Sequence, residues 1–216
     1  MRLLLNKEIK LATHVLTWAF LGFGFMALVP GYPIALAAFF MCLGLFQSFQ
    51  KAREDQDVLY SALLPIAKRD VVTAKFAVVV FVQIAGLAIM SALACVRMGP
   101  LAGAPVYAHN ALLPANLTFL GCALLVFAAF NLVFVRGFFK TAYYYGRPFV
   151  AFIAVAMLLV AAFEVAWHLP GLGALGTVAP NAAQVAVLAG CALAYAAGTW
   201  AALRGSQRSF ERIDIS

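Results

Sequence analysis

The chain has 216 residues, of which 65% are hydrophobic and only 11% are charged, with a formal net charge of +7. Its mean hydropathy of +0.97 lies well outside the range of soluble globular domains. The composition therefore excludes a soluble enzyme or binding module and indicates an integral membrane protein. A single domain over residues 1–216 suffices at this length.

The first predicted element covers residues 1–12, where apolar side chains alternate with charged ones, among them Glu8. This pattern suits a short interfacial helix leading into the first span, or a charged start that only fixes orientation. A cleaved signal peptide is disfavoured, because the apolar run 14–29 is followed at once by a turn and a second apolar run. We expect the segment to be retained.

Six apolar stretches follow, separated by charged segments or by proline and glycine turns. They cover residues 13–29, 33–49, 74–97, 112–135, 147–169 and 182–203. A helix needs about 20 residues to cross a hydrocarbon core of about 30 Å, so the last four are long enough and the first two are short but workable. We therefore predict an all-α fold with six transmembrane helices and both termini on the same side.

The basic residues predict the orientation of these spans. In the six-span arrangement, every Lys and Arg except Arg97 falls on the side that carries the N-terminus, the segment 49–75, the connection 136–147 and the tail 204–216. Because cytoplasmic connections are rich in basic residues, we predict that both termini are cytoplasmic. The net charge is explained by this topology and by anionic membrane lipids, and it requires no nucleic-acid partner.

The segment 49–75 carries five basic and four acidic residues between two apolar stretches, so it cannot lie in hydrocarbon. Arg53 and Asp57 are four residues apart, a spacing typical of a helix stabilised by side-chain pairs, and Pro65 should end or kink that helix. A second helix is predicted to start near residues 68–70 and to continue to Met98, about 45 Å at 1.5 Å per residue. Its first turns would project into the cytoplasm and could transmit a push from a cytosolic partner.

The last span contains small residues at every fourth position, namely Gly190, Ala194, Gly198 and Ala202. Such a stripe lets another helix approach closely. We expect internal packing, with a dimer face as the alternative.

Three polar side chains inside the predicted spans are candidates for a functional role. Glu164 is the only acidic residue among them, with His168 one turn away as a possible partner, and either a structural role or a place in a translocation path is open. Gln83 and Asn131 are explained by interhelical hydrogen bonds, with a place in the same path as the alternative.

The sequence gives no support for metal binding, redox chemistry, nucleotide binding or hydrolysis. The four cysteines stand singly on different spans, without metal-ligand or redox spacing, and we expect them to be small core residues. The sequence has no phosphate-binding glycine loop and no protease or hydrolase motif. We expect no catalytic residues, no metal and no cofactor in this chain.

The segment between spans 2 and 3 resembles one family. Asp57, the pair Leu64 and Pro65, Arg69, the pair Val71 and Val72, and Lys75 occur in the order seen in small six-span bacterial permease subunits of the ABC-2 transporter family. The greatest likeness is to the group that includes the phenol-soluble modulin exporters. The ending Phe210, Glu211 and Arg212 is similar to the tails of relatives.

The resemblance implies an ABC-2 (type V-like) permease in a bacterial cell membrane. Segment 49–75 would be a coupling helix that sits on a separate ATP-binding subunit, which would hold the ATP and Mg²⁺, and a second permease chain would complete the transporter. The residues expected to contact the ATPase are Arg53, Asp57, Leu64, Pro65, Arg69 and Lys75. A merely solvated loop is the alternative interpretation.

The function expected from this resemblance is export of an amphipathic or antimicrobial peptide, or of another hydrophobic compound. The permease would have no ATPase site of its own. One alternative is the solute-binding membrane component of a vitamin importer, which should gather polar residues in an outer pocket. A second alternative is an intramembrane enzyme or assembly factor that uses Glu164 and His168, and the absence of further partner residues for this pair argues against it.

Overall fold

The computed structural model describes residues 5, 7–9, 13–56, 67–107, 110–141 and 144–212. All regular elements within these ranges are helical, as the sequence predicts. Six of them follow the six apolar stretches. They are α1 (Val15–Leu28), α2 (Leu36–Glu54), α3 (Lys68–Met98), α4 (Leu117–Lys140), α5 (Gly146–Ala166) and α6 (Ala182–Glu211).

Four of these helices, α3 to α6, are long and apolar enough to cross a membrane. The other two differ from regular spans in recognisable ways. α1 covers only Val15–Leu28 and tightens to a 3-10 helix over Phe20–Leu28, which places fewer than 20 residues across the bilayer. α2 has 19 residues, but its last turn is charged and carries Lys51 and Arg53. The crossing of the membrane by all six helices stays a prediction.

Side-chain caps and turns fix several helix ends. The Oδ1 atom of Asn116 accepts a hydrogen bond from the Phe119 amide (3.1 Å) at the start of α4, and Asn181 does the same for the Gln184 amide (3.0 Å) at the start of α6. The turns after α1 and α5 contain Gly31 (φ 69°) and Gly171 (φ 86°), a left-handed backbone that glycine adopts without steric cost.

Helix α4 is the centre of the bundle and packs against α2, α5 and α6. Its side chains build an aromatic core with those of α2 and α5. The ring centroids of Phe49 and Phe134 lie 5.2 Å apart at an angle of 83°, and the rings of Phe46 and Phe149 stack at 3.7 Å. Such edge-to-face and stacked pairs stabilise a helix interface beyond simple area burial. The core therefore lies where α4 crosses its neighbours.

Helices α1 and α2 contact each other through small and hydroxyl residues. The Thr17 hydroxyl donates to the Gly44 carbonyl (2.7 Å) and lies 2.7 Å from the Ser48 hydroxyl, which in turn accepts from the His14 amide (2.8 Å). These bonds satisfy polar groups that would be costly in hydrocarbon. α1 is thereby held along α2, as an antiparallel neighbour after the turn at Gly31.

The small-residue stripe of α6 is split between two environments. Gly198 and Ala202 are buried, and Gly198 faces Leu132 and Ala128 of α4, as expected for internal packing. Gly190 and Ala194 are exposed, and a Cβ atom at Gly190 would meet nothing within 4 Å. The prediction of internal packing is therefore confirmed only for Gly198 and Ala202 of the stripe.

Candidate coupling surface and buried polar groups

The end of α2 and the start of α3 are the described parts of the predicted coupling segment 49–75. The helix ends at Glu54, and Gln56 adopts a left-handed backbone with φ 51°. The helix predicted around Arg53 therefore does not continue through Gln56, because a left-handed residue cannot extend a right-handed helix. Asp57, Leu64 and Pro65 lie outside the described residues.

Arg53 is exposed at this end of α2 and rests on two aromatic rings. Its guanidinium carbon lies 4.9 Å from the ring centroid of Tyr145 and 5.8 Å from that of Tyr144. Both distances suit cation–π attraction, which is worth about 0.5–1 kcal/mol at an exposed site. The contact holds the charge of Arg53 at the surface, next to the connection between α4 and α5.

An open cleft of about 400 Å³ adjoins the same end of α2. Its wall includes His14 at the start of α1, and the other lining side chains are mostly polar or charged. These are Gln47, Gln50, Lys51, Glu54 and Asp55. The end of α2 therefore presents charges of both signs around a concave surface, which favours polar contacts with another protein.

Arg69 lies at the start of α3, beyond the apolar part of that helix, and pairs with Glu211 at the end of α6. Its Nε atom donates to Oε1 of Glu211, and its Nη2 atom donates to Oε2 at 3.1 Å. This bidentate bond raises the pKa of Arg69 and lowers the pKa of Glu211, in both cases chiefly through the hydrogen bond. The sequence placed Arg69 at the ATPase contact but missed its partner.

A second bond reinforces this junction of the two helix ends. The Gln207 amide of α6 donates to the Thr73 hydroxyl of α3 at 2.9 Å, and the same hydroxyl donates to the Arg69 carbonyl at 2.7 Å. The first two turns of α3 are thus fastened to the last two turns of α6. The resemblance of residues 210–212 to relatives' tails was the one sequence signal that pointed to this region.

Lys75 is buried, in contrast to Arg53 and Arg69. Its Nζ atom lies 3.1 Å from Oε2 of Glu8, and the side chains of Lys75 and Glu8 are only 6% and 4% exposed. The same ammonium lies 5.9 Å from the ring centroid of Phe49. Lys75 therefore anchors the N-terminal segment onto α3, a role that the sequence did not reveal because Glu8 is 67 residues away. Its predicted contact with an ATPase stays a prediction and would require this pair to open.

Gln83 and Asn131 form the centre of a buried polar network. The Gln83 Nε2 atom donates to Asn131 Oδ1 (2.9 Å), and Asn131 Nδ2 donates both to Gln83 Oε1 (3.1 Å) and to the Thr199 hydroxyl (2.9 Å). The Tyr195 hydroxyl adds a bond to Gln83 Oε1 (2.8 Å). The network joins α3, α4 and α6, so the interhelical hydrogen bonding expected from the sequence is present.

The backbone around Asn131 is also unusual. Residues Phe130–Val135 form a π-helical segment within α4, and Asn131 is its second residue. π-Segments widen a helix by one residue and often occur at functional sites. Gln83 and Asn131 are only 1% and 0% exposed, so both side chains lie inside the helix bundle. A place for them in a translocation path stays a prediction.

Glu164 has a different partner from the one expected. Its Oε2 atom accepts a hydrogen bond from the Leu113 amide (2.8 Å), which ties α5 to the segment before α4. His168 instead stacks on its neighbour Trp167, with ring centroids 3.8 Å apart. The second carboxylate oxygen, Oε1, is buried without a hydrogen-bond partner among the described residues. The sequence identified Glu164 as unusual but assigned the wrong partner.

No group of three or more His, Cys, Asp or Glu side chains within the described ranges is placed to hold a metal ion. Cys42, Cys122 and Cys191 are buried as small core residues, as expected, whereas Cys95 is exposed. All four thiols are free. The described polar groups thus contribute to helix packing and to a charged surface.

Comparison with known proteins identifies the family to which the chain belongs. Neither the curated proteins nor the solved structures yield a significant match to the chain. A family model described as "ABC-2 family transporter protein" matches residues 3–200, which is nearly the whole sequence. Permeases of this family work with an ATP-binding subunit. Together with the long apolar helices, this match shows that the chain belongs to the ABC-2 family and is a membrane component of an ABC transporter.

Proposed function

We propose that the chain is the permease subunit of an ATP-driven exporter, with all six helices crossing a bacterial cell membrane and both termini in the cytoplasm. A second permease chain and separate ATP-binding subunits complete the transporter, and the ATP and Mg²⁺ belong to those subunits. The family membership supports the permease role. The basic residues at the inner ends of the predicted spans support the orientation.

The observation that carries the proposal is the continuity of α3. This helix has 31 residues, begins at Lys68 within the charged segment 49–75 and continues to Met98 without a break. At 1.5 Å per residue it is about 45 Å long, so its first turns extend beyond a hydrocarbon core of about 30 Å. A displacement at its charged start is passed along a rigid rod into the membrane.

The coupling surface comprises the exposed end of α2 and the start of α3, which flank residues 57–66. Arg53 and Arg69 are exposed here, and Asp57, Leu64 and Pro65 belong to the intervening segment. We assign polar contacts with the ATPase to Arg53, Asp57 and Arg69, and a bend to Pro65. Lys75 supports this surface from within, through its pair with Glu8.

The cargo is assigned by family likeness as an amphipathic or antimicrobial peptide, or another hydrophobic compound, with Glu164, Gln83 and Asn131 along its path. An importer component would need several polar groups in an outer pocket. The described cleft at the Gly31 end of the bundle has one amide side chain, that of Asn110, among largely apolar neighbours. This lining favours the exporter.

The test is co-purification of the ATP-binding subunit from the native membrane in mild detergent, read by mass spectrometry. The variant Arg53→Glu/Asp57→Lys reverses two charges of the coupling surface and leaves the pair of Arg69 and Glu211 intact. We expect wild type to retain the ATPase and the variant to lose most of it, about tenfold, since charge reversal at a contact costs more than 1.4 kcal/mol.

The matched control is Arg212→Glu, which reverses an exposed charge at the end of α6 that is not assigned to an ATPase contact. It should retain the ATPase. Recovery of the wild-type chain without any ATPase would overturn the proposal. Equal loss in the control and in the variant would reject the assigned surface but not the transporter.

A further inference from the structure

A basic cleft opens between α4 and α6 at their inner ends, and its lining shares no residue with the proposed coupling surface. It has a volume of about 500 Å³. Three arginines and one tryptophan supply its functional groups, with two small residues between them. The lining residues are Arg136, Trp200, Ala201, Arg204, Gly205 and Arg208.

The spacing along α6 places these groups on one face. Trp200, Arg204 and Arg208 follow at intervals of four residues, which stacks their side chains one turn apart. The Arg204 guanidinium carbon lies 5.7 Å from the Trp200 ring centroid. Trp200 is 63% exposed, and tryptophan at the end of an apolar helix marks the depth of the lipid headgroups.

Gly205 shapes the floor of the cleft. A Cβ atom at this position would lie 2.7 Å from Nε of Arg136 and 3.1 Å from its Cζ. The absence of a side chain therefore lets the Arg136 guanidinium of α4 lie directly across α6. This close approach brings the third positive charge beside Arg204 and Arg208.

The three guanidinium groups are exposed and make no ion pair with a described carboxylate. Glu211, which is close in sequence to Arg208, is already engaged by Arg69. Planar guanidinium groups bind phosphate or carboxylate oxygens bidentately, and three of them at the depth of the headgroups suit the phosphate ester of a lipid. Basic pockets between membrane helices are suited to anionic headgroups.

We propose that this cleft binds the phosphate headgroup of an anionic phospholipid, with Arg136, Arg204 and Arg208 on the phosphate and Trp200 against the glycerol and upper acyl region. The lipid would bridge α4 and α6 at their inner ends. The proposal depends on the chain's place in a membrane and not on the transported cargo or the ATPase contact.

The test uses the purified full chain in a neutral detergent, titrated with phosphatidylglycerol or with zwitterionic phosphatidylcholine, and counts bound lipid by native mass spectrometry. Wild type should bind phosphatidylglycerol about tenfold more tightly than phosphatidylcholine. The variant Arg204→Gln/Arg208→Gln should abolish this preference. The control Lys140→Gln/Arg147→Gln removes the same charge from exposed sites outside the cleft and should keep it.

A second variant tests the geometry without changing the charge. Gly205→Ala displaces the Arg136 guanidinium, and we expect a several-fold loss of the preference, whereas Gly190→Ala, at an open position on the same helix, should have none. Arg204→Lys/Arg208→Lys keeps the charge and should give intermediate binding, which covers the case in which the glutamine variant fails to fold.

Three results would overturn the proposal. Equal losses in the cleft pair and in the control pair would show diffuse surface charge. Displacement of phosphatidylglycerol by inorganic phosphate alone would show a simple anion site. Unchanged lipid preference in Gly205→Ala and in the arginine variants would show that lipid binds elsewhere.

Discussion

The Gln83 and Asn131 amides bond to each other where three helices meet, and both side chains are buried. Asn131→Leu removes both bonds between the two amides and leaves Gln83 with only the Tyr195 hydroxyl. We expect the free energy of unfolding to fall by about 1–2 kcal/mol, since buried amides that lose partners retain their desolvation cost. Thermal unfolding of the full chain in detergent, followed by tryptophan fluorescence, measures this change.

The double variant Gln83→Leu/Asn131→Leu distinguishes the contribution of the hydrogen bonds between the two amides from the contribution of side-chain packing. Because it removes both amides, its cost should be smaller than the sum of the two single costs by about 0.5–2 kcal/mol. Gln47→Leu is the control, since Gln47 lines the open cleft beside α2 and makes no described side-chain hydrogen bond. Additive single costs would show that the two amides act independently.

The contacts of individual side chains were the least predictable feature of this structure. The sequence marked Glu164, Gln83 and Asn131 correctly as polar groups inside spans, because a polar residue in an apolar run is visible without knowledge of the fold. It did not reveal that Glu8 pairs with Lys75 or that Leu113 donates to Glu164. Those partners are distant in the chain, and only the packing of the bundle brings them together.

At the level of the helices, α1 approaches α2 closely because Gly44 has no side chain. A Cβ atom there would lie 2.6 Å from Cβ of Phe20 and 3.3 Å from the backbone Cα of Thr17, neither of which can move without shifting α1. We expect Gly44→Ala to destabilise the protein by about 1–3 kcal/mol, as for other overpacked interfaces. The same thermal unfolding measurement tests it.

Gly190→Ala provides the matched comparison, because it makes the same substitution in a helix interior where the added methyl group meets nothing. Alanine is the better helix former, so this variant should be neutral or more stable by up to about 1 kcal/mol. If Gly44→Ala were equally harmless, α1 would be free to move away from α2, and their contact would not be a fixed feature of the bundle.

The helices themselves were predictable, since long apolar runs between charged or proline-rich segments leave few alternatives in a membrane. The positions of the helix ends were less predictable. Lys51 and Asp55 have helical spacing, yet α2 ends at Glu54 and Gln56 turns left-handed. The α6 stripe predicted internal packing, but only Gly198 and Ala202 of the stripe are buried. Helical periodicity and composition do not reveal which part of a helix face is covered by a neighbouring helix.

Across the whole molecule, the pair of Arg69 and Glu211 closes the bundle by joining the start of α3 to the end of α6. Because Arg69 lowers the pKa of Glu211, the pair is fully charged at neutral pH and is lost only as the pH falls through that lowered pKa. Both side chains are substantially exposed, so the pair contributes to the position of the helix ends rather than to stability. It is therefore suited to couple the charged segment 49–75 to the last helix.

A reciprocal exchange tests this closure. Spin labels placed at the exposed positions Asp70 and Arg212 report the distance between the two helix ends, measured by pulsed electron paramagnetic resonance. Arg69→Glu sets two carboxylates against each other and should broaden and lengthen the measured distance, whereas Arg69→Glu/Glu211→Arg should restore the narrow wild-type distribution. Lys140→Glu, a charge reversal at the exposed end of α4, should leave it unchanged.

The same variants distinguish two roles for Arg69 in the proposed transporter. If Arg69 acts by holding α3 to α6, the exchanged pair should restore ATP hydrolysis by the reconstituted complex of permease and ATPase along with the distance. If Arg69 contacts the ATPase directly, the distance recovers but hydrolysis does not, because the partner then meets a carboxylate in place of a guanidinium. A distance unaltered by Arg69→Glu would instead assign the closure to the bond between Gln207 and Thr73.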